Sequence, residues 1–163
     1  MTDLEGPDGW ENISVKTHWN IPFEHFAGKT ASRYFIEMRD HKKIMGTRCP
    51  RCRRVLIPAR SFCEQCFSPV DGWVEVGDQG TIETFSINCM KYVGMPEPPY
   101  ILAIIRLDGA DTGMMHFIGG LDLSNVDEAA GKLKIGTRVQ AVWKEIREGS
   151  ITDIEYFRII DGL

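Results

Sequence analysis

The sequence predicts a mostly β protein: an N-terminal helical segment, a rubredoxin-like tetrathiolate zinc ribbon and a C-terminal five-stranded OB-fold barrel with a helix between its third and fourth strands. The stretch RCPRCRRVLIPARSFCEQCFSPV, residues 48–70, holds two Cys-x-x-Cys pairs separated by ten residues. After it, five strand-like runs are divided by Gly, Pro and Asp turns, and a helix pattern follows the third run. We expect an extended arm over 1–22, the helix and ribbon over 23–78, and the barrel over 79–163.

The composition is that of a globular protein. Of the 163 residues, 43% are hydrophobic and 26% are charged. No run of about 18 apolar residues is present, so no membrane span is expected. The stretch MTDLEGPDGWENISV at the start is acidic and has no apolar core, so it does not predict a signal peptide. We therefore expect a cytoplasmic protein, and in the reducing cytosol cysteine pairs indicate metal sites before disulfides.

The N-terminal arm, residues 1–22, is polar and interrupted by Pro and Gly, yet it contains Trp10 and Trp19. Such a segment buries little by itself, so it is either mobile or laid on a partner. The two tryptophans favour a partner, because aromatic side chains often anchor protein interfaces.

A short amphipathic helix is predicted next. In KTASRYFIEMRDHKK, residues 29–43, the side chains of Tyr34, Phe35 and Met38 have the spacing of one helical face. The opposite face is charged, and we expect it to face solvent without a catalytic role.

The two cysteine pairs predict one structural zinc site formed by Cys49, Cys52, Cys63 and Cys66. Each Cys-x-x-Cys turn brings two sulfurs together, and the ten residues between the pairs allow a short hairpin that returns the second pair to the first. Four thiolates complete the tetrahedral shell of Zn²⁺ and leave no position for a substrate. A thioredoxin-type redox pair would not need a second pair, and rubredoxin-type iron knuckles usually lie further apart, so zinc is preferred.

We call the four-cysteine segment, residues 49–66, the clip. Its two Cys-x-x-Cys turns depart from the pattern common in zinc ribbons. Many zinc knuckles carry Gly after the second cysteine of each pair, where a positive φ is convenient. Here Arg53 and Phe67 occupy those two positions. The prediction of a metal site does not depend on glycine at these positions, but the expected geometry of the turns does.

Five of the eleven arginines lie within thirteen residues around the clip. One interpretation is charge balance, because four thiolates leave a net charge of about −2 on a zinc ion. The other is an anion site for phosphates or for an acidic partner surface. The five residues are Arg48, Arg51, Arg53, Arg54 and Arg60.

The barrel strands follow a closing strand of the ribbon, GWVEV (72–76), and a predicted turn, GDQG (77–80). The helix pattern SNVDEAAGKL (124–133) opens on Ser124 and has acidic residues in its first turn and lysines at its end. The five strand-like runs are TIETFSINCM (81–90), YILAIIRLD (100–108), MMHFIGGLD (114–122), TRVQAVWKEI (137–146) and SITDIEYFRII (150–160). Three strands, a helix and two strands form the element order of an OB-fold.

The second of these runs is apolar on both faces, whereas a strand with one face in water would alternate. We expect either the N-terminal helix or another protein to cover its outer face.

Few residues suggest catalysis. No nucleophile elbow, phosphate loop, dinucleotide fingerprint or His-Glu-x-x-His motif is present. Cys89, the fifth cysteine, is a candidate nucleophile with His116 as its base, although lone cysteines on strands are usually core residues. The loop CMKYVGMPEPPY (89–100) lies where OB-folds often hold ligands, and its Lys91 and Tyr92 are candidates for a phosphate or an adenine ring; a rigid proline loop with a solvated lysine is the alternative.

A nucleic-acid-binding module is a further alternative, because zinc ribbons and OB-folds both occur in that class. Residues 79–163 hold eight Lys and Arg against twelve Asp and Glu, and the first barrel run has no basic residue. A barrel that binds nucleic acid needs basic and aromatic side chains interleaved on its surface, so this class is disfavoured.

Taken in order, the parts resemble a known family. A short helix, CPRC…CEQC, WVEVGDQGTIETFS, PPYILAIIRLD and KIGTRVQAVW are similar to the acyl-CoA-associated zinc-ribbon/OB-fold family, over residues 29–160. The clip followed by Gly-x-Ile-x-Thr-Phe-Ser and Pro-Pro-Tyr carries the resemblance. Within the family, the chain resembles the small subunits of thiolases that cleave aromatic 3-oxoacyl-CoA intermediates in anaerobic toluene degradation.

The resemblance implies a non-catalytic subunit of a hetero-oligomer with a thiolase-like catalytic subunit. It implies docking beside the partner's active site and binding of coenzyme A with the barrel, for which Lys91, Tyr92 and Arg54 are the candidate residues. A stand-alone thioester-processing enzyme using Cys89 remains the enzyme alternative.

Overall fold

The computed structural model describes residues 15–17, 19 and 21–160; Trp10 and most of the predicted arm lie outside these residues. The observed elements agree in order with the predicted ones. They are α1 Gly28–His41, β1 Ile44–Arg48, β2 Val55–Leu56, β3 Gly72–Val76, β4 Gln79–Asn88, β5 Tyr100–Leu107, β6 Met114–Gly119, α2 Val126–Lys132, β7 Arg138–Trp143, a 3-10 helix Ile151–Asp153 and β8 Ile154–Ile159. Neither α-helix among the described residues has the length and apolar character needed to cross a bilayer.

Helix α1 buries the face that its sequence pattern predicts. Tyr34 and Met38 are buried, and Phe35 packs against the same core. The helix ends at Lys42, whose left-handed backbone (φ 54°) lets its N–H donate to the carbonyl of Met38 at 3.2 Å. α1 packs mainly against β1, and the guanidinium of Arg33 lies 4.5 Å from the centre of the Trp73 ring on β3.

The ribbon contains a three-stranded antiparallel sheet in the order β2-β1-β3. Its short edge strand β2 is fixed by the loop between β5 and β6. The Asp111 carboxylate accepts from the N–H of Val55 at 2.8 Å, and the Thr112 hydroxyl accepts from the N–H of Ile57 at 2.7 Å. This edge is therefore closed by the barrel.

The C-terminal strands form a closed barrel in the order β4-β5-β6-β8-β7, with β6 and β8 parallel. This is the predicted OB-fold, and α2 lies between the third and fourth barrel strands as expected. Several boundaries differ from the prediction: most strands are shorter than their predicted runs, and residues 151–153, predicted as part of the last strand, form the 3-10 helix. Two further differences have a local reason. Gln79 and Gly80, which we assigned to a turn, already belong to β4, because Gly80 pairs with both Leu107 and Val139 where the barrel closes. The cap of α2 is Asn125 rather than Ser124, since the Asn125 side chain accepts from the N–H of Glu128.

One hydrophobic core connects the three parts of the molecule. Buried residues of α1, the ribbon sheet and the barrel, such as Met38, Ile57 and Ile105, belong to one cluster. A second, smaller cluster surrounds the cysteines with Leu56 and Val70. The ribbon and barrel thus pack as one unit.

The outer face of β5 is only half-covered. Its inward side chains, such as Ile105, are buried, whereas Leu102 and Ile104 on the other face are partly exposed beside Met115. α1 packs mainly on β1, so of the two expected covers, this helix or another protein, the helix leaves the outer face of β5 partly exposed in the described residues.

Candidate metal centre and barrel surface

Four sulfur atoms converge at the tip of the ribbon. The Sγ atoms of Cys49, Cys52, Cys63 and Cys66 lie within 4.8 Å of one another, and those of Cys52 and Cys63 are 3.7 Å apart. Ligands at about 2.3 Å around a tetrahedral zinc ion stand about 3.8 Å apart, so this spacing suits the ion. Cys49 and Cys63 are buried, and the other two are partly exposed. The chain thus has four cysteines positioned to bind a metal, as the sequence predicts.

Two tight turns bring the sulfurs together. The N–H of Arg53 donates to the carbonyl of Cys49 at 3.0 Å, and the N–H of Phe67 donates to that of Cys63 at 2.8 Å. Both residues have left-handed backbone, with φ of 68° at Arg53 and 51° at Phe67. The knuckle geometry therefore forms without the usual glycines, at a conformational cost of about 1–2 kcal/mol for each residue.

The environment of the thiols favours a bound cation. Hydrogen bonds from the Ser68 hydroxyl and from the backbone N–H of Cys52 lower the pKa of Cys49 to about 6. The neighbouring Cys52 sulfur, together with burial, raises the pKa of Cys66. Four thiols this close cannot all ionise in the absence of a positive charge, and a divalent ion with thiolate ligands supplies it. Ser68 was not predicted, because a single serine after a knuckle gives no signal in the sequence.

Four of the five arginines around the clip fall into two groups, and the fifth, Arg48, donates to the backbone carbonyl of Arg53 at 3.3 Å. Arg54 and Arg60 both pair with Glu64, each at 3.1 Å. The guanidinium groups of Arg51 and Arg53 have no hydrogen-bond or ion-pair partner among the described residues. The first group is used inside the ribbon, and the second is free to meet an anionic partner.

Cys89 and His116 do not form a nucleophile and base pair. His116 is buried; its Nδ1 accepts from the N–H of Phe117 at 2.9 Å, and its Nε2 donates to the carbonyl of Ile151 at 3.1 Å. Burial also lowers the pKa of His116. Cys89 is exposed and lines a separate hollow with Pro98 and other residues. With both ring nitrogens engaged, His116 is a structural residue of the barrel.

The candidate coenzyme A residues lie at two different places. Lys91 and Tyr92 are on the loop between β4 and β5, where Lys91 forms an ion pair with Glu97. Arg54 is near the opposite end of β5, where it contacts the carbonyl of Asp111 at 3.5 Å. The eight residues of β5 separate these ends by on the order of 20 Å. The structure therefore brings Lys91 and Tyr92 together and leaves Arg54 apart.

A crevice of about 200 Å³ adjoins the Lys91 loop. It lies between that loop, the outer face of β5 and β6, and the 3-10 helix, which is the face where OB-folds bind ligands. It is mainly apolar and is lined by Gly94, Met95, Leu102, Met115, His116, Phe117, Ile151 and Thr152. The sequence did not indicate it, because its walls come from three distant segments.

Comparison with known proteins supports the same two-part architecture. A family model described as the ChsH2 rubredoxin-like zinc ribbon domain matches residues 37–71, and one described as the ChsH2 C-terminal OB-fold domain matches residues 73–144. The chain is 27% identical over 124 residues to a DUF35 domain-containing scaffold protein of Methanocaldococcus jannaschii, which covers 74% of this chain and 81% of the relative.

Two solved structures share the fold. One is a DUF35 family protein of unknown function from Sulfolobus solfataricus, with a TM-score of 0.57 and 22% identity over 81% of this chain and 84% of the other. The other is the Ltp2-ChsH2(DUF35) aldolase, with a TM-score of 0.56 and 21% identity over 83% of this chain and 98% of the other. With both ChsH2 domains in sequence order and a four-cysteine clip in the first, the chain belongs to the ChsH2-type zinc-ribbon/OB-fold family.

Proposed function

We propose that this chain is a non-catalytic zinc-ribbon/OB-fold subunit of a thiolase-type acyl-CoA complex, in which it docks on the catalytic subunit and helps to bind coenzyme A. The observation that carries the proposal is a set of large apolar side chains left exposed by the rest of the described chain. On the arm and before α1, Trp19, Phe23 and Phe26 are 81%, 79% and 92% exposed. Exposed aromatic residues in such number are typical of an interface.

The exposed surface continues onto the ribbon. Phe62 and Phe67 are exposed there, and Phe62 lines a groove with the first residues of α1. The guanidinium groups of Arg51 and Arg53, which have no partner within the described ranges of the chain, add positive charge to the ribbon. The arm, α1 and the ribbon thus form one docking surface, suited to a partner with apolar pockets and carboxylates at their rim.

The absence of a catalytic pair in the described residues supports an accessory role. A thiolase needs an activated cysteine with histidine support, whereas the clip cysteines are positioned to bind a metal and both ring nitrogens of the buried His116 are hydrogen-bonded. The relative from M. jannaschii is described as a scaffold protein, and the ChsH2 chain of similar fold is part of an aldolase. Both descriptions agree with a chain that acts through a partner.

The Lys91 loop is the place we propose for coenzyme A. Lys91 and Tyr92 offer a cation and an exposed aromatic ring to a nucleotide, beside a mainly apolar crevice. The crevice suits the less polar part of an acyl-CoA. Arg54 remains a candidate only for a ligand that reaches the far end of β5.

Co-purification tests the main proposal. The tagged full-length chain should be recovered from its native host with a stoichiometric catalytic subunit, and the complex should show thiolase activity that the chain alone lacks. Removal of residues 1–22 should weaken the association while zinc content and thermal unfolding stay as in the full chain. A full-length chain that purifies alone, or that shows acyl transfer lost on Cys89→Ser, would contradict an accessory subunit.

A pair of variants tests the coenzyme A site. Because Lys91 is paired with Glu97, a CoA phosphate must compete with that carboxylate. Lys91→Ala should weaken CoA binding to the complex by about fivefold, and Glu97→Gln should strengthen it by about twofold, the range of exposed charge pairs. Calorimetric titration measures both. Equal CoA affinities of the two variants would show that CoA binds at another place on the complex.

A further inference from the structure

The segment before α1, residues 15–23, has apolar side chains at alternate positions. Val15, Thr17, Trp19, Ile21 and Phe23 follow one another at every second position. The four apolar members are 79%, 81%, 64% and 79% exposed in chain order. The intervening positions are Lys16, His18, Asn20 and Pro22. An alternation of this kind, rich in β-branched and aromatic residues, is the pattern of a strand with one apolar face.

The described backbone of this segment has no hydrogen-bond partner in the described part of the protein. None of the described residues between 15 and 23 takes part in a backbone hydrogen bond with the described remainder of the chain. Peptide groups in a segment with so many apolar side chains need partners once those side chains are buried. The partner surface that buries these side chains must then also supply hydrogen bonds to the backbone N–H and C=O groups of the segment.

Pro22 argues for an extended conformation. Val15, Trp19 and Phe23 also have the spacing of one helical turn each, so a helix is the competing arrangement. Proline inside a helix costs about 3 kcal/mol and disfavours helical backbone at the residue before it, here Ile21. In an edge strand, proline is tolerated at positions where the backbone N–H of any other residue would point to solvent.

Pro22 also determines which side of such a strand is paired. In a strand, the N–H and C=O of one residue point to the same side, and those of the next residue point to the other. Pro22 has no N–H, so the side to which the backbone groups of the even-numbered residues point is the side without a partner strand. The odd-numbered residues, including Thr17 and Ile21, then face the partner strand with their backbone groups.

We propose that residues 15–23 add as an edge strand to a β-sheet of the catalytic partner, with the odd-numbered backbone groups in the ladder and Trp19, Ile21 and Phe23 packed on its apolar face. The inference rests on the proposed function, because it needs a docking partner. It specifies the partner's surface: an unpaired sheet edge beside an apolar face. Strand addition of this type gains affinity from main-chain hydrogen bonds and specificity from alternate side chains.

A proline substitution at two adjacent positions tests the proposal. Thr17→Pro removes an N–H on the paired side, and Lys16→Pro removes one on the open side. Neither change removes an apolar side chain. Using the catalytic subunit that co-purifies with the native chain, we expect Thr17→Pro to weaken binding at least tenfold, and Lys16→Pro to change it by less than about threefold. Zinc content and thermal unfolding of the free chain should be unaltered in both variants, since the residues of the arm that the structure describes make no backbone hydrogen bond to the described fold.

Amide hydrogen exchange in the complex gives a second readout. Slow exchange at Thr17, Trp19 and Ile21 with fast exchange at Lys16 supports the ladder. Equal losses of affinity in the two proline variants, or native affinity in both, overturn strand addition while the complex itself persists. Failure of the native chain to retain any catalytic subunit is a different result, and it overturns the proposed function.

Discussion

At the scale of single residues, the two Cys-x-x-Cys turns place a non-glycine residue in left-handed backbone, a conformation that such residues disfavour. Arg53 and Phe67 hold positive φ, and Phe67 is 82% exposed, so its side chain gains little from packing within this chain. For a bulky residue this conformation is unusual, and at both positions it belongs to the turn that brings the two cysteines of a pair together.

Phe67→Gly should therefore stabilise the zinc-loaded chain by about 1 kcal/mol, because glycine adopts the left-handed conformation without steric cost. Phe67→Ala is the matched control: it also removes the ring but keeps the Cβ, and should give no gain. Urea unfolding with zinc present measures the difference. Equal stabilities of the Gly and Ala variants would mean that the turn is not strained.

A second residue, Tyr34, holds a buried hydroxyl. The side chain is 2% exposed, its Oη has no hydrogen-bond partner in the described structure, and burial raises the pKa of the phenol. Tyr34→Phe should raise the free energy of unfolding by about 1 kcal/mol, since an unpaired hydroxyl is costly to bury. Chemical denaturation measures it, with Phe35→Leu on the same helix as a packing control. A loss of stability in Tyr34→Phe would show that the hydroxyl has a partner.

At the scale of elements, periodicity and turn residues predicted α1, the barrel strands and α2, because each element carries its own pattern along the chain. The clip was predictable because its ligands are spaced by short turns. The boundary at Gln79 and Gly80 was not, since the reason that Gly80 lies in a strand is tertiary. A Cβ at Gly80 would stand 2.5 Å from the carbonyl oxygen of Arg106 on β5. Contacts between distant segments, such as Asp111 with β2 or the barrel crevice, leave no local signal.

Gly80→Ala should consequently destabilise the barrel by about 2 kcal/mol or more, because the contact is with backbone that cannot move aside. Gly131→Ala is a suitable control, since a Cβ there meets no atom within 4 Å and the residue lies in α2, where alanine is favoured. Thermal unfolding should show a lower Tm for the first and an unchanged or higher Tm for the second. An unchanged Tm for Gly80→Ala would contradict a tight closure at this position.

At the scale of the whole molecule, the metal clip and the barrel depend on each other. Leu56 packs with the clip cysteines, while its neighbours Val55 and Ile57 belong to the core that continues into the barrel. Asp111 and Thr112 fix the same strand from the barrel side. Disruption of the clip therefore releases β2 and opens one end of the common core.

Loss of the metal should therefore destabilise the entire fold. The native chain should contain about one zinc per molecule, and the double variant Cys63→Ser/Cys66→Ser should retain almost none. Its Tm should fall by at least about 10 °C in a single transition, because a loss of roughly 4 kcal/mol shifts the Tm of a chain of this size by that amount. Cys89→Ser is the control: this cysteine is exposed and outside the clip, so zinc content and Tm should stay native. Full zinc content in the double variant would refute the ligand assignment, and an unchanged barrel transition after metal loss would mean that ribbon and barrel fold independently.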